Sequence, residues 1–265
     1  MTNPVTRRAL PLPDVLRPWV AGIDSLAVGS VAKEPFVHLP DPDTKVVLRL
    51  EGNGRSSALV VGPRVRATYH QGKPLISCLE VRLAPGTARP LLGVPALDLV
   101  GRAVSLDVLP GEGARRLARE LRRLEPEEAV DRLAAMLPER LAASSDDSRT
   151  RLVRAGVDAM SLRTGHVPGP VPDVARKLAF SERQLRNLFA EGVGLSPKHY
   201  ARINRVRAVL AHATDLSWAE LAAATGYYDQ SHMTSDFRTL MGVPPRSYFA
   251  GRLPSATPCQ SIRRT

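Results

Sequence analysis

Two capping boxes, Ser181-Glu182-Arg183-Gln184 and Ser217-Trp218-Ala219-Glu220, constrain residues 172–249 more tightly than anything else in the chain. In each, the serine hydroxyl can accept from the backbone N–H three residues on. The Gln or Glu side chain reaches back to the serine N–H, so a helix begins there. Ahead of the first box, Pro172 to Leu178 reads as a short helix, because proline suits the first helical turn and Asp173 suits the positive end of the helix dipole. Behind it, Leu185, Leu188 and Phe189 recur at i, i+3 and i+4 and form a buried stripe, leaving Arg183, Gln184, Arg186 and Asn187 on or near the open face. A short helix, a turn and a capped second helix with such residues make a helix-turn-helix unit with base-reading and phosphate-binding side chains.

Ser196-Pro197 then opens a connecting helix in which Tyr200, Ile203, Val206 and Leu210 keep the helical period to about Ala211. At 1.5 Å per residue it is a spacer of roughly 24 Å. The pattern repeats after it. Leu221 and Ala222 follow the second capping box, Gly226 supplies a tight turn, and a last helix from about Asp229 buries Met233, Phe237, Leu240 and Met241. Gln230, Ser231, His232 and Ser235 lie on its outer face, His232 also being placed to help fix the helix start.

Four motifs now stand in order: Leu185-Arg186-Asn187-Leu188-Phe189, Gly194-Leu195-Ser196-Pro197-Lys198-His199-Tyr200, Gly226-Tyr227-Tyr228-Asp229-Gln230-Ser231-His232, and Phe237-Arg238 followed by Gly242-Val243-Pro244-Pro245-Arg246-Ser247-Tyr248. Together they resemble the DNA-binding domain of the AraC/XylS family of bacterial transcription regulators. The resemblance implies that the second helix of each unit enters the major groove, the two contacts lying one helical turn apart on one face of the duplex. It carries base-facing roles onto Arg183, Gln184 and Asn187 in the first unit and onto Gln230, Ser231, His232 and Ser235 in the second. Arg186, Lys198 and Arg202 join them as DNA-binding residues, with Arg205 and Arg207 open to either phosphate contact or a solvated surface. At Ser235 the family often has a basic residue; here Ser235 is followed by Asp236, which would weaken the second unit's hold on phosphate.

Charge fits a polyanion partner for this half. Residues 149–265 hold 17 Lys and Arg against 8 Asp and Glu, whereas residues 1–148 hold 20 against 18. Two cysteines, Cys78 and Cys259, provide neither a disulfide framework nor a cysteine metal site. Prolines 4, 11, 13 and 18 interrupt any signal-peptide core and no stretch is apolar enough to span a bilayer, so a cytoplasmic protein is expected.

Upstream, residues 1 to about 35 are proline-rich, and a strand or short helix is expected there. From Phe36 to about Leu106, apolar runs alternate with turn signals: Lys45–Leu50, the turn Gly52-Asn53-Gly54, Ala58–Val61, Gly62-Pro63 and Leu75–Leu83. Strands at this spacing indicate a β-sandwich or barrel. The stretch resembles the cupin-like sensor half of AraC-type regulators, through Leu39-Pro40-Asp41, Val61-Gly62-Pro63, Val81-Arg82-Leu83-Ala84-Pro85-Gly86 and Leu91-Leu92-Gly93-Val94-Pro95. Two amphipathic helices follow, Gly113–Leu124 (with Arg122 and Arg123 off its apolar side) and Pro126–Leu141, which either support dimerisation or only cover the barrel. A polar segment and a further helix, Arg149–Leu162, lead to Gly165-His166-Val167-Pro168 and the first unit.

The expected fold class is therefore α+β in two domains: a cupin-like sensor and dimerisation domain (1–143) with trailing helices, a linker (144–148), an all-α tandem helix-turn-helix domain (149–252) and a flexible tail (253–265). Expected partners are double-stranded DNA, a small-molecule effector, a second copy of the chain and RNA polymerase. His38, His70 and Glu80 are too scattered for the three or four converging ligands a metal needs, and Cys78 reads as a small buried residue rather than a nucleophile. No catalytic constellation or phosphate-cradling glycine loop is seen, and no cofactor is expected. The leading function is a sequence-specific DNA-binding transcription regulator; a cupin-like enzyme fused to a DNA-binding domain and a nonspecific DNA-binding protein remain as alternatives.

Overall fold

A computed structural model describes residues 5–28, 36–51, 56–71, 75–121, 124–142, 147–163 and 167–257. The expected turn at Gly52–Gly54, Arg122 and Arg123, linker residues 144–146, Gly165-His166, and the chain beyond 257 with Cys259 lie outside the described residues.

The amino-terminal half is built on strands β1 (Val5–Leu10), β2 (Val20–Val28), β3 (Phe36–His38), β4 (Lys45–Glu51), β5 (Ser56–Val61), β6 (Thr68–His70), β7 (Leu75–Leu83) and β8 (Ala103–Ser105). Six of them form one antiparallel sheet in the order β1-β2-β7-β4-β5-β8, while β3 and β6 pair separately. Helix α1 (Ala88–Leu92) follows β7, and α2 (Glu112–Leu121) and α3 (Pro126–Ala142) follow β8. Alternation along the strands decides which side is covered. Val46, Val60, Leu79 and Val81 join Leu91, Leu117, Leu121, Leu133 and Leu137 in one core, and Val47, Leu59 and Cys78 form a second, smaller cluster. The proline-rich start holds two strands joined through a short 3-10 turn at Asp14–Leu16.

The carboxy-terminal half is helical: α4 (Asp147–Met160), α5 (Val171–Lys177), α6 (Glu182–Gly192), α7 (Pro197–His212), α8 (Trp218–Ala224), α9 (Gln230–Met241) and α10 (Pro245–Phe249). Both capping boxes close as their spacing requires, with Ser181 and Gln184 exchanging bonds at the start of α6 and Ser217 and Glu220 at the start of α8. One core runs through all of these helices but α10, from Val153 and Val157 through Leu185, Phe189, Ile203 and Val206 to Leu221, Met233 and Phe237. The chain after Tyr248, expected to fray, instead returns to the amino-terminal half as far as it is described. Thr257 donates its N–H to the Tyr69 carbonyl (3.0 Å) and accepts from the Gln71 N–H (3.0 Å), an extra bridge on β6. Among the described residues no helix is long and apolar enough to cross a membrane.

Candidate nucleic-acid interface

Helices α6 and α9 are held alike. On α6, Leu185 and Phe189 are fully buried and Leu188 nearly so; on α9, Met233, Phe237, Leu240 and Met241 are. Truncating a buried Phe to Ala costs about 3–5 kcal/mol, so these stripes fix the rotation of each helix about its axis. What then faces outward follows from the helical period. Arg183, Gln184, Arg186 and Asn187 are all exposed on α6, and Gln230, Ser231, His232 and Ser235 on α9.

Several of these side chains also have a structural task. Gln184 accepts the Ser181 N–H on Oε1 (2.8 Å), which leaves its amide NH2 outward. Arg186 pairs with Glu182 one turn back (2.9 Å). Asp229 caps α9 by accepting the His232 N–H (2.7 Å), and the His232 ring packs edge-on against Tyr227 at 5.1 Å. His232 thus has both a helix-starting role and an open face.

The two turns ahead of α6 and α9 match each other. After α8, Gly226 has φ +75°, and after α5 the equivalent position is Ala179 with φ +56°, a left-handed conformation unusual for a residue with a Cβ. A Cβ on Gly226 would fall 2.4 Å from Val167 Cγ1, so that turn requires glycine for both conformation and space.

Asp236 and Arg202 meet inside the domain. Asp236 is turned inward and nearly buried, where Arg202 reaches Oδ1 with Nη2 at 2.8 Å and Nε at 3.0 Å, and Arg205 lies 3.9 Å from Oδ2. Its charge is compensated inside the domain, away from the outward face of α9. Arg202, expected at the DNA, ties α7 to α9. Arg205 also stacks over the Tyr227 ring at 5.0 Å. Lys198 stays exposed at the start of α7, next to His199, whose imidazole is kept below its ordinary range by burial and by the Arg202 cation.

The amino-terminal half is bonded to the C-terminal ends of both outward-facing helices. At α6, the Gly86 N–H donates to the Gly192 carbonyl (3.0 Å), and Gly194 (φ +85°) passes so near Ala96 that a Cβ would lie 2.7 Å from its carbonyl oxygen. At α9, the Ala67 N–H donates to Leu240 O and the Tyr69 hydroxyl to Met241 O, both at 2.7 Å. These bonds satisfy last-turn carbonyls that a helix cannot pair internally. Burial pushes the Tyr69 hydroxyl up to about 12, so it remains a donor. On α7, Arg207 donates to Pro40 O (3.2 Å) and lies 3.7 Å from Asp41, itself paired with Lys45 at 2.7 Å.

Other singled-out residues fall elsewhere. His38 and His70 pack ring to ring across β3 and β6 at 5.3 Å, whereas Glu80 lies on β7 bonded to Arg7 and Lys45. Cys78 is buried on β7, its thiol pushed up to about 12 by burial and by Glu80. Arg66 and Arg238, both exposed, line the groove alongside α9; neither was expected among the DNA-binding residues, although Arg238 stands in the Phe237-Arg238 motif. Arg238 continues the stripe Gln230, Ser231, Thr234, Ser235 at helical spacing and could have been read from it; Arg66 arrives from a distant loop and had no local signal.

Residues 174–251 match the family model of a helix-turn-helix domain. This segment of the chain is a helix-turn-helix domain. Among solved structures, an AraC-type DNA-binding domain protein from Chromobacterium violaceum is 28% identical, with 40% of this chain and 96% of that chain covered and a TM-score of 0.33. The C-terminal domain of AraT, a response regulator from Geobacillus stearothermophilus, is 22% identical over 43% of this chain and 96% of its own, with a TM-score of 0.34. ToxT from Vibrio cholerae is 9% identical, covering 94% of this chain and 98% of its own with a TM-score of 0.41. Comparison with curated proteins finds no match.

Proposed function

We propose that this protein is an AraC-type DNA-binding transcription regulator that reads two adjacent major-groove segments, through Arg183, Gln184, Arg186 and Asn187 on α6 and through Gln230, Ser231, His232 and Ser235 on α9, with Lys198 on a flanking phosphate. The observation that carries the reading is the shared anchoring: two capped helices on one core, each with its apolar stripe buried and its polar stripe open. Arginine and the carboxamides of Asn and Gln are the side chains that make bidentate bonds to guanine and adenine edges. The duplex would meet them as a rigid pair, since α7 fills the space between and the Arg202–Asp236 ion pair locks it to α9.

Residues 1–143 we read as the sensing domain and 149–252 as the DNA-binding domain. The sheet of the amino-terminal half we read as cupin-like, and the protein as a non-enzymatic regulator of the cytoplasm. Bonds from that half reach Gly192 on α6, Leu240 and Met241 on α9, and Arg207 on α7. A small effector, a second copy of the chain or RNA polymerase acting on the amino-terminal half would therefore bias how the two units are presented, provided that it bound one arrangement better than another. The test is selection of bound duplexes from a random pool, repeated with metabolite extract. A defined motif of two boxes is expected, with Arg183→Ala and Asn187→Ala each erasing preference in one box while leaving the fold intact. Unchanged preference in these variants would remove the assigned face, and equal retention of all duplexes would favour a nonspecific binder.

A further inference from the structure

We propose that the amino-terminal half itself contributes to the DNA interface: Arg66, on the loop before β6, and Arg238, on α9, form a two-arginine phosphate clamp beside the second reading helix. This rests on the regulator reading above and extends it to a residue outside the helix-turn-helix domain.

The clamp flanks an open groove of about 1030 Å³. One wall is the outer stripe of α9, with Gln230, Ser231, Ser235 and Arg238; the other is Arg66 on the loop before β6 and Tyr69 on β6. The wall that meets DNA bases in the proposed function therefore continues, without a break, into a wall supplied by the amino-terminal half. Both arginines are exposed, and neither is paired with a carboxylate among the described residues. The acidic residue on this helix segment, Asp236, is buried and compensated by Arg202 on the far side. The rim of the groove is thus cationic and its inner face rich in hydroxyl and amide groups, which is the chemistry that holds a phosphodiester strand.

Arg66 is also held in place. One residue on, the Ala67 N–H is bonded to Leu240 O at 2.7 Å, and two residues further the Tyr69 hydroxyl is bonded to Met241 O at 2.7 Å. One residue before, Val65 packs, partly buried, against the core of the carboxy-terminal half. An exposed arginine whose neighbours are bonded to and packed on the carboxy-terminal half loses less freedom on meeting a phosphate than one on a free loop. The same bonds make the clamp sensitive to the amino-terminal half: a change that pulled the loop off α9 would remove Arg66 from the strand and uncap the helix together.

Phosphate contacts act on any sequence, so no operator is needed for the test. Affinity of the full-length protein for a mixed-sequence duplex is measured by fluorescence anisotropy across a salt series. Each lost contact should flatten the slope of log K against log salt by about 0.9 and weaken binding roughly 5- to 10-fold near 0.1 M salt. Arg66→Ala and Arg238→Ala should each show this, the double variant should show twice the change in slope, and Arg66→Lys should restore most of it. Arg89→Ala, an exposed arginine of the amino-terminal half away from the groove, removes the same charge and should leave the slope as it is. An unchanged slope in Arg66→Ala, or tighter binding than wild type, overturns the clamp, the latter by showing that the loop covers the face instead of completing it. An equal loss in Arg89→Ala overturns it too, by reducing the effect to net charge. A wild-type protein that binds no duplex at all removes the regulator reading as well, so the two failures are distinct.

Discussion

Replacing Arg202 with Met tests whether this residue holds the domain together or touches DNA. Its guanidinium lies 2.8 Å from Asp236, with the two side chains 24% and 11% exposed, while Arg205 stands 3.9 Å from the other carboxylate oxygen. At an effective dielectric near 20, a pair at about 3 Å is worth roughly 6 kcal/mol gross and one at about 4 Å roughly 4 kcal/mol. Desolvation offsets much of that, and removing one partner of a buried pair typically costs about 3–5 kcal/mol because a charge is left uncompensated. Arg205 remains beside Asp236, so the loss should fall lower, at about 2–3 kcal/mol. Urea unfolding followed by circular dichroism reads it. Pairing Arg202→Met with Asp236→Leu should recover most of the stability, since no buried charge is then left alone. In the DNA assay the single variant should keep the wild-type salt slope under conditions where it is folded. A stability loss below about 1 kcal/mol together with a slope flatter by about 0.9 would refute the structural assignment and return Arg202 to the phosphates.

Ala179→Gly should stabilise the first unit by about 1 kcal/mol, because glycine adopts a φ of +56° without the Cβ penalty; a loss of stability in urea unfolding would contradict that. Asp41 and Asp43, beside Arg207, should respond to pH in opposite ways. Burial alone would raise Asp41, but Lys45 and Arg207 outweigh it and hold the carboxyl below its ordinary range, so its contribution is present at neutral pH and is lost as pH falls through that lowered value. Asp41→Asn should therefore cost about 3 kcal/mol at pH 7, measured by urea unfolding, and progressively less in strong acid. Asp43 is raised by burial and by the Asp41 charge, which means its ionised form is a liability above that raised value. Asp43→Asn should accordingly stabilise at pH 7, with the gain vanishing as pH falls and Asp43 protonates; a gain that grew in acid would contradict it.

Local interactions were legible in the sequence and distant ones were not. Ser181 with Gln184, Ser217 with Glu220 and the stripe of Leu185, Leu188 and Phe189 are i to i+3 or i+4 relations, so the starts of α6 and α8 and the orientation of α6 could be read directly. Strands β4, β5 and β7 were visible because their apolar residues run between turn signals. Strand β1 was hidden: Arg7 and Arg8 interrupt its apolar pattern, and their reason for being there, Asp24 and Glu80 for Arg7 and Glu127 for Arg8, lies far along the chain. The inward turn of Asp236 depended on Arg202, 34 residues away, and could not be told from Ser235-Asp236 alone. Thr257 on β6 and Ala67 on α9 are likewise bonds between halves, with no periodicity to betray them.

Methylation interference on a selected duplex bound by the wild-type protein bears most directly on whether α6 and α9 read one face of DNA as a pair. Two patches of major-groove interference, centred about one helical turn apart and on the same side of the duplex, are expected. One should disappear in Asn187→Ala and the other in Gln230→Ala. A single patch, or two patches on opposite sides of the duplex, would contradict the paired reading.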